Sequence, residues 1–327
     1  MQIMGILDKL KKKPAPEPLI DEKKLEEVAK YQSKEHQLIR DLQVKSLGNV
    51  STYIEGRVYC KLWDTEIDVW HQRVHKASED AVFETAQRTH TPYDVLYLRE
   101  NTVLEDLLKY PVLLYPHGLI LKQRDVELFK AYVEQGGTLI VGCRTGQKDE
   151  KGHCVMRPMP GLLSELTGTE VEEFTFCSPT EEPVNAVWDE QVMPMPVFND
   201  ILTALPGTTV LACYQNSYYA GKPALTENRV GKGRVLHLGS TFSQENLKLI
   251  FAHLGMLTPW NDVVRVSERV ELVVREKEGK KYFFLLNYLA EPQQVEFVQE
   301  LRSLLSGETL SGTVTLPALG YEVLVME

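Results

Sequence analysis

The stretch KYPVLLYPHGLILKQRDVELFKAYVEQGGTLIVGCRTG, Lys109 to Gly146, decides the fold. Its first apolar run, Pro111–Tyr115, is short, continuous and closed by Pro116-His117-Gly118, as expected of a strand covered on both faces. A second run covers Thr138–Val141. Between them Val126, Phe129 and Val133, with Leu128 and Tyr132 beside them, repeat at helical spacing. Gly136-Gly137 then supplies the left-handed residue that stops a helix. The pattern predicts one βαβ unit of a parallel sheet.

Working outward, the N-terminal side repeats the alternation. A strand is expected over Arg57–Leu62, a helix over Val69–Arg88, a strand over Thr91–Leu98 and a short helix over Leu104–Lys109. Strands alternating with helices predict an α/β fold, a parallel sheet flanked by helices. Residues 175–220 break this rhythm with strand-like pieces between Pro-rich turns, and read as a β-rich excursion at the sheet edge. A helix at Gln244–Leu254 follows, and Pro259 marks a boundary. From Val263 short β-branched runs and the turn Glu278-Gly279-Lys280 predict a small antiparallel β domain of sandwich type. At the other end, Lys9–Lys13 and Pro14, Pro16 and Pro18 form a linker, and residues 21–43 read as a charged helix with a narrow apolar stripe. The expected division is therefore 1–49, 50–260 and 261–327.

Composition limits the function. With 43% hydrophobic and 25% charged residues the chain is an ordinary globular protein. A formal charge of -10 argues against a nucleic-acid partner, whose phosphates need clustered Lys and Arg. No apolar run reaches the roughly 18 residues of a membrane span, and no secretory signal opens the chain, so no membrane partner and a cytoplasmic location are expected. The five cysteines, Cys60, Cys143, Cys154, Cys177 and Cys213, are odd in number and never in a C-x-x-C pair, which predicts reduced thiols.

Several segments resemble the trimerisation domain of family 42 glycoside hydrolases, the bacterial β-galactosidases. They are the helix end AYVEQGGTL at 131–139, the loop RTGQKDE at 144–150 and the segment PGLLSELTGTEVEEF at 160–174. The phrase Tyr218–Ala224 and the strand VGKGRVLHLG at 230–239 are similar to later parts of the same domain. LPALGYEVL at 316–324 resembles the ending of the family's small C-terminal β domain. The resemblance covers about residues 50–327. It implies a role in subunit association: a homo-oligomer, namely a trimer, or pairing with a barrel-bearing glycosidase chain, with a galactoside as a possible ligand. The family's two catalytic glutamates stand on a (β/α)8 barrel of roughly 250 residues. About 50 residues precede the matched region. Barrel, glutamates and the family's metal-binding cysteines are thus expected to be absent from this chain, and the leading expectation is a non-catalytic assembly module.

The sheet also resembles the class I glutamine amidotransferase-like, or flavodoxin-like, architecture, in which a Cys follows a central strand and a His a later one. Cys143 and His237 are the alternative catalytic pair on that reading, a thiolate with an imidazole base for acyl transfer. The pattern is broken, because an elbow for Cys143 requires glycines where Val141 and Thr145 stand, and Gly239 replaces the Glu expected two residues after the His. Cys143, His153 and Cys154 lack the paired spacing of a structural zinc site, so no metal is expected. Gly231-Lys232-Gly233 lacks the longer loop of a phosphate cradle, and no cofactor is expected. Glu172-Glu173 and Glu181-Glu182 read as surface charge, and Trp63, Trp70, Trp188 and Trp260 as packing residues, although exposed Trp and Tyr would also suit a carbohydrate-binding module.

Overall fold

The computed structural model describes residues 50–53, 69–149 and 153–326. The N-terminal linker and charged helix, the strand Arg57–Leu62, Cys60 and Trp63 lie outside the described residues. The first part of the chain runs β1 (Val50–Tyr53), α1 (Val69–Arg88), β2 (Tyr93–Leu96), α2 (Leu104–Leu107), β3 (Val112–Tyr115), α3 (Gln123–Glu134) and β4 (Thr138–Val141). A 3-10 turn at Gly161–Leu163 leads into α4 (Ser164–Thr167). The β-rich excursion holds β5 (Thr169–Phe176), β6 (Asn185–Trp188), β7 (Gln191–Pro194), β8 (Phe198–Ala204) and β9 (Thr209–Tyr214). Then come β10 (Pro223–Val230), β11 (Gly233–Leu238) and α5 (Gln244–His253).

Nine of these strands form one sheet in the order β2-β1-β3-β4-β11-β10-β9-β6-β7. From β2 to β11 every pair is parallel. From β11 to β7 every pair is antiparallel. This overturns the expected helix-flanked parallel sheet of amidotransferase-like or flavodoxin-like type: the sheet is mixed and strand dominates the regular structure. The reason is local. Parallel neighbours need long crossovers, whereas the short pieces after Asn185 are joined by turns and can pair only as hairpins. The β10–β11 hairpin closes through the two residues Gly231-Lys232, with Val230 opposite Gly233. Strands β5 and β8 pair with each other as a separate ribbon.

Helices cover the parallel half. Alternate residues of β3 and β4 point to opposite faces, and all are buried. Leu114 and Ile140 pack with Val82 of α1 and Leu247, Ile250 and Phe251 of α5. Leu113, Tyr115, Leu139 and Val141 pack with Val126, Phe129 and Val133 of α3. After α3, Gly136 takes a φ of 117° and Gly137 leaves its Cβ position to the ring of Tyr132, whose hydroxyl donates to the Tyr110 carbonyl at 2.9 Å.

The C-terminal part contains β12 (Val264–Val266), β13 (Val270–Lys277), β14 (Lys280–Asn287), β15 (Gln293–Ser303), β16 (Thr309–Leu316) and β17 (Tyr321–Met326), all antiparallel. Glu278 and Gly279, at φ 54° and 77°, make the two-residue turn between β13 and β14. Strand β15 pairs with β12 near its start and with β17 at its end, while β16 takes its other side. The sheet thereby curls around Phe283, Leu285, Phe297, Leu301 and Leu324. The turn after α1 holds the segment that follows α5 and the start of β13: Thr89 accepts from the Thr258 N–H, Thr91 donates to the Met256 carbonyl and the His90 ring donates across to the Val270 carbonyl, each at 2.9 Å.

Candidate functional site

The carboxyl ends of β3, β4 and β11 bring His117, Cys143, Arg144 and Thr241 together, with Ser78 of α1 and Asp200 of β8 beside them. His117 lies between two partners. Its Nδ1 is 2.7 Å from the Cys143 carbonyl, which can only accept, so Nδ1 carries the proton. Its Nε2 must then accept from the Ser78 hydroxyl at 2.6 Å, and Ser78 in turn accepts from the Phe242 N–H at 2.9 Å. A serine on an imidazole has the geometry of a nucleophile and base. Here both are buried, His117 beside the ring of Phe242, and Ser78 has no exposed surface. The chain of bonds joins α1, β3, β4 and the start of α5, and holds the Gly142–Gly146 turn in place.

That turn has the backbone of a nucleophile elbow, displaced by one residue from Cys143. Arg144 sits at φ 62°, with Gly142 two residues before it and Gly146 two residues after. A Cβ on Gly142 would fall 2.2 Å from the Pro116 carbonyl oxygen, and one on Gly146 the same distance from that of Pro160. The strained position therefore presents a guanidinium, which has no nucleophilic atom. It lies 5.1 Å from the centre of the Phe198 ring and bonds Gln147 at 3.1 and 3.2 Å. The Arg144 N–H donates to Asp200 Oδ2 at 2.7 Å. Burial raises the Asp200 carboxyl to about 7, against the pull of that N–H and of the guanidinium. Its Oδ1 has no hydrogen-bond partner among the described residues.

Cys143 and His237, the two residues of the acyl-transfer reading, make their hydrogen bonds to other partners. Cys143 is fully buried, its sulfur 3.7 Å from His117 Nδ1 and 3.9 Å from Thr241 Oγ1. Burial, then the Asp200 charge, pushes its thiol well above the usual range, opposite to the shift that activates a nucleophile. His237 lies on β11, opposite Val141 of β4 and Thr226 of β10, with Nδ1 2.7 Å from Thr169 Oγ1 and Nε2 unpaired among the described residues. Burial lowers its imidazole to about 3.

The remaining sequence candidates are scattered. His153 and Cys154 are exposed, and the described residues hold no group of three or more side chains that could bind a metal. Glu172 pairs with Lys222 at 2.7 Å and Glu173 accepts from the Tyr218 hydroxyl at 2.9 Å, both on an exposed face. Glu181 and Glu182 stand on the wall of a 440 Å³ cavity with Arg73, Phe176, Met195 and several prolines. Trp188 is buried against His253, and Trp260 packs edge-on to Phe283. Sequence reasoning missed His117 and Arg144. For Arg144 the signal was the spacing Gly142-x-Arg144-x-Gly146.

The family model described as β-galactosidase trimerisation domain matches residues 59–257, more than half of the chain. This chain belongs to that family, within glycoside hydrolase family 42. The model of the β-galactosidase C-terminal domain matches residues 269–326 of the same trimerisation-family chain. Among curated relatives, β-galactosidase bgaB of Geobacillus kaustophilus is 31% identical over 202 residues, which is 60% of this chain and 30% of the relative. β-Galactosidase BgaA of Clostridium cellulovorans is 32% identical over 225 residues, 67% of this chain and 33% of the relative. The chain thus spans about a third of the length of the curated relatives it matches. The β-galactosidase structure from Bacillus circulans sp. alkalophilus superposes with a TM-score of 0.70 over 88% of this chain and 42% of that one, at 23% identity. Among the described residues no (β/α)8 barrel is present.

Proposed function

We propose that this chain acts as the assembly part of a family 42 β-galactosidase, drawing subunits into a homotrimer, with the chemistry on β-galactosides performed by barrel-bearing chains of the same family. The match of a trimerisation domain over residues 59–257 carries this reading. Residues 50–260 form the associating domain on this reading, residues 261–327 a smaller β domain attached to it, and the cytoplasm is its compartment. The chemistry of the described residues supports it. The one serine–imidazole pair at the strand ends is buried, and the turn built for a nucleophile carries Arg144. A buried polar cluster of this kind stiffens a loop instead of receiving a substrate.

Light scattering on the purified chain, with a β-galactosidase assay on the same sample, tests the reading. A stable trimer that leaves the galactoside intact supports it. A monomer at micromolar concentration, or robust hydrolysis, overturns it.

A further inference from the structure

A second cavity, of 260 Å³, opens between the two parts of the molecule, where α1 and β2 face β13 and Trp260. Its walls combine aromatic rings with flat hydrogen-bonding groups. Phe83, half exposed at 52%, meets Tyr93 edge to face at 6.3 Å, and Trp260 closes the other side, held by Phe283 and by the Lys281 ammonium 4.9 Å from its ring centre. Gln87, Glu271 and Arg275 also line it; the Glu271 carboxylate accepts from the Tyr288 hydroxyl and the Arg275 guanidinium donates to the Val274 carbonyl at 3.3 Å, each keeping further hydrogen-bonding capacity. With the Lys281 ammonium set over the Trp260 ring, one carboxylate and one guanidinium remain in the lining and balance, so the cleft does not select an ion. A wholly apolar ligand would strip water from three polar groups without replacing it, which is costly. A molecule with a C–H face for aromatic rings and a rim of hydroxyls for amide, carboxylate and guanidinium satisfies both sets of walls. Ligand sites of this composition favour the junction of two domains, and drug-sized ones run to about 300–1,000 Å³. The space here suits a single ring.

We propose that this cleft is a binding site for a neutral saccharide ring, separate from any hydrolytic centre. It does not rest on the oligomeric state, since every wall comes from one copy of the chain. Saturation-transfer NMR on the full chain with D-galactose, and in parallel with D-glucose, tests it. Saturable transfer from either sugar is expected, weakened at least tenfold in Phe83→Ala and in Glu271→Gln and unchanged in Tyr218→Ala, which lies on another surface. Gln87→Ala, on the exposed face of α1, serves as the variant whose folding is not at issue, and it too weakens binding. No saturable transfer up to roughly 50 mM of either sugar, a range that would still register very weak sites, overturns the proposal. So does transfer that is equal in the wild type and in all three cleft variants.

Discussion

His117 and His237 are both buried in the nine-stranded sheet, yet their surroundings differ. His117, at the carboxyl end of the parallel half, has each ring nitrogen matched, and its tautomer is fixed by a carbonyl on one side and a hydroxyl on the other. His237, on the strand where the sheet changes from parallel to antiparallel, has one nitrogen matched and one bare among the described residues. The first imidazole ties four elements together. The second fills space and makes a single bond. Burial alone therefore does not measure what a polar side chain contributes; its partners do.

Four substitutions sharpen this contrast. Gly142→Ala should have the largest effect, at least about 4 kcal/mol of unfolding free energy in urea titration, because the new Cβ would meet the Pro116 carbonyl and the His117 ring in the loop that His117 holds. His117→Ala should cost about 3 kcal/mol, since it leaves a cavity and strands the Ser78 hydroxyl and the Cys143 carbonyl. A cost below about 1 kcal/mol would remove the case for a tie. Asp200→Asn should act through pH. The folded carboxyl is raised to about 7 from 3.8, so its favourable contribution is complete below pH 3.8 and is lost as pH rises through 7. The variant should therefore gain about 2 kcal/mol over wild type at pH 8 and progressively less toward pH 4, read from urea midpoints across that range. His237→Leu should be the mildest, within about 1 kcal/mol of wild type at pH 7.5, because one bond is lost and one bare nitrogen removed. Its imidazole is depressed from 6.5 to about 3, so it supports the fold above pH 6.5 and loses that support as pH falls toward 3. The leucine variant should lack this part of the acid sensitivity, and an unchanged acid limb would contradict the assignment.

Much of the parallel half was legible in the sequence. Periodicity places a helix at Val69–Arg88 and a strand at Thr138–Val141, where the structure has them, because continuous apolar runs and a 3.6-residue repeat are properties of the segment itself. Pairing direction is not. Residues 185–230 show strands and turns plainly, but whether they close the parallel sheet or extend it with hairpins depends on partners that no local pattern names. The site was less legible still. Cys143 drew attention because a thiol is chemically conspicuous, while the glycine spacing pointed to its neighbour Arg144. His117 gave no such sign, since Ser78 lies 39 residues before it and Cys143 26 residues after.

Strand β11 is a junction in time as well as in space. Its antiparallel partner is reached through two residues, so the β10–β11 hairpin can close within microseconds, whereas the parallel partner β4 lies on the far side of a long excursion. A preformed hairpin would then offer an exposed edge on which Thr138–Val141 can align residue by residue. The slowest part of the topology is thereby reduced to docking one short strand on a template that local contacts have already built.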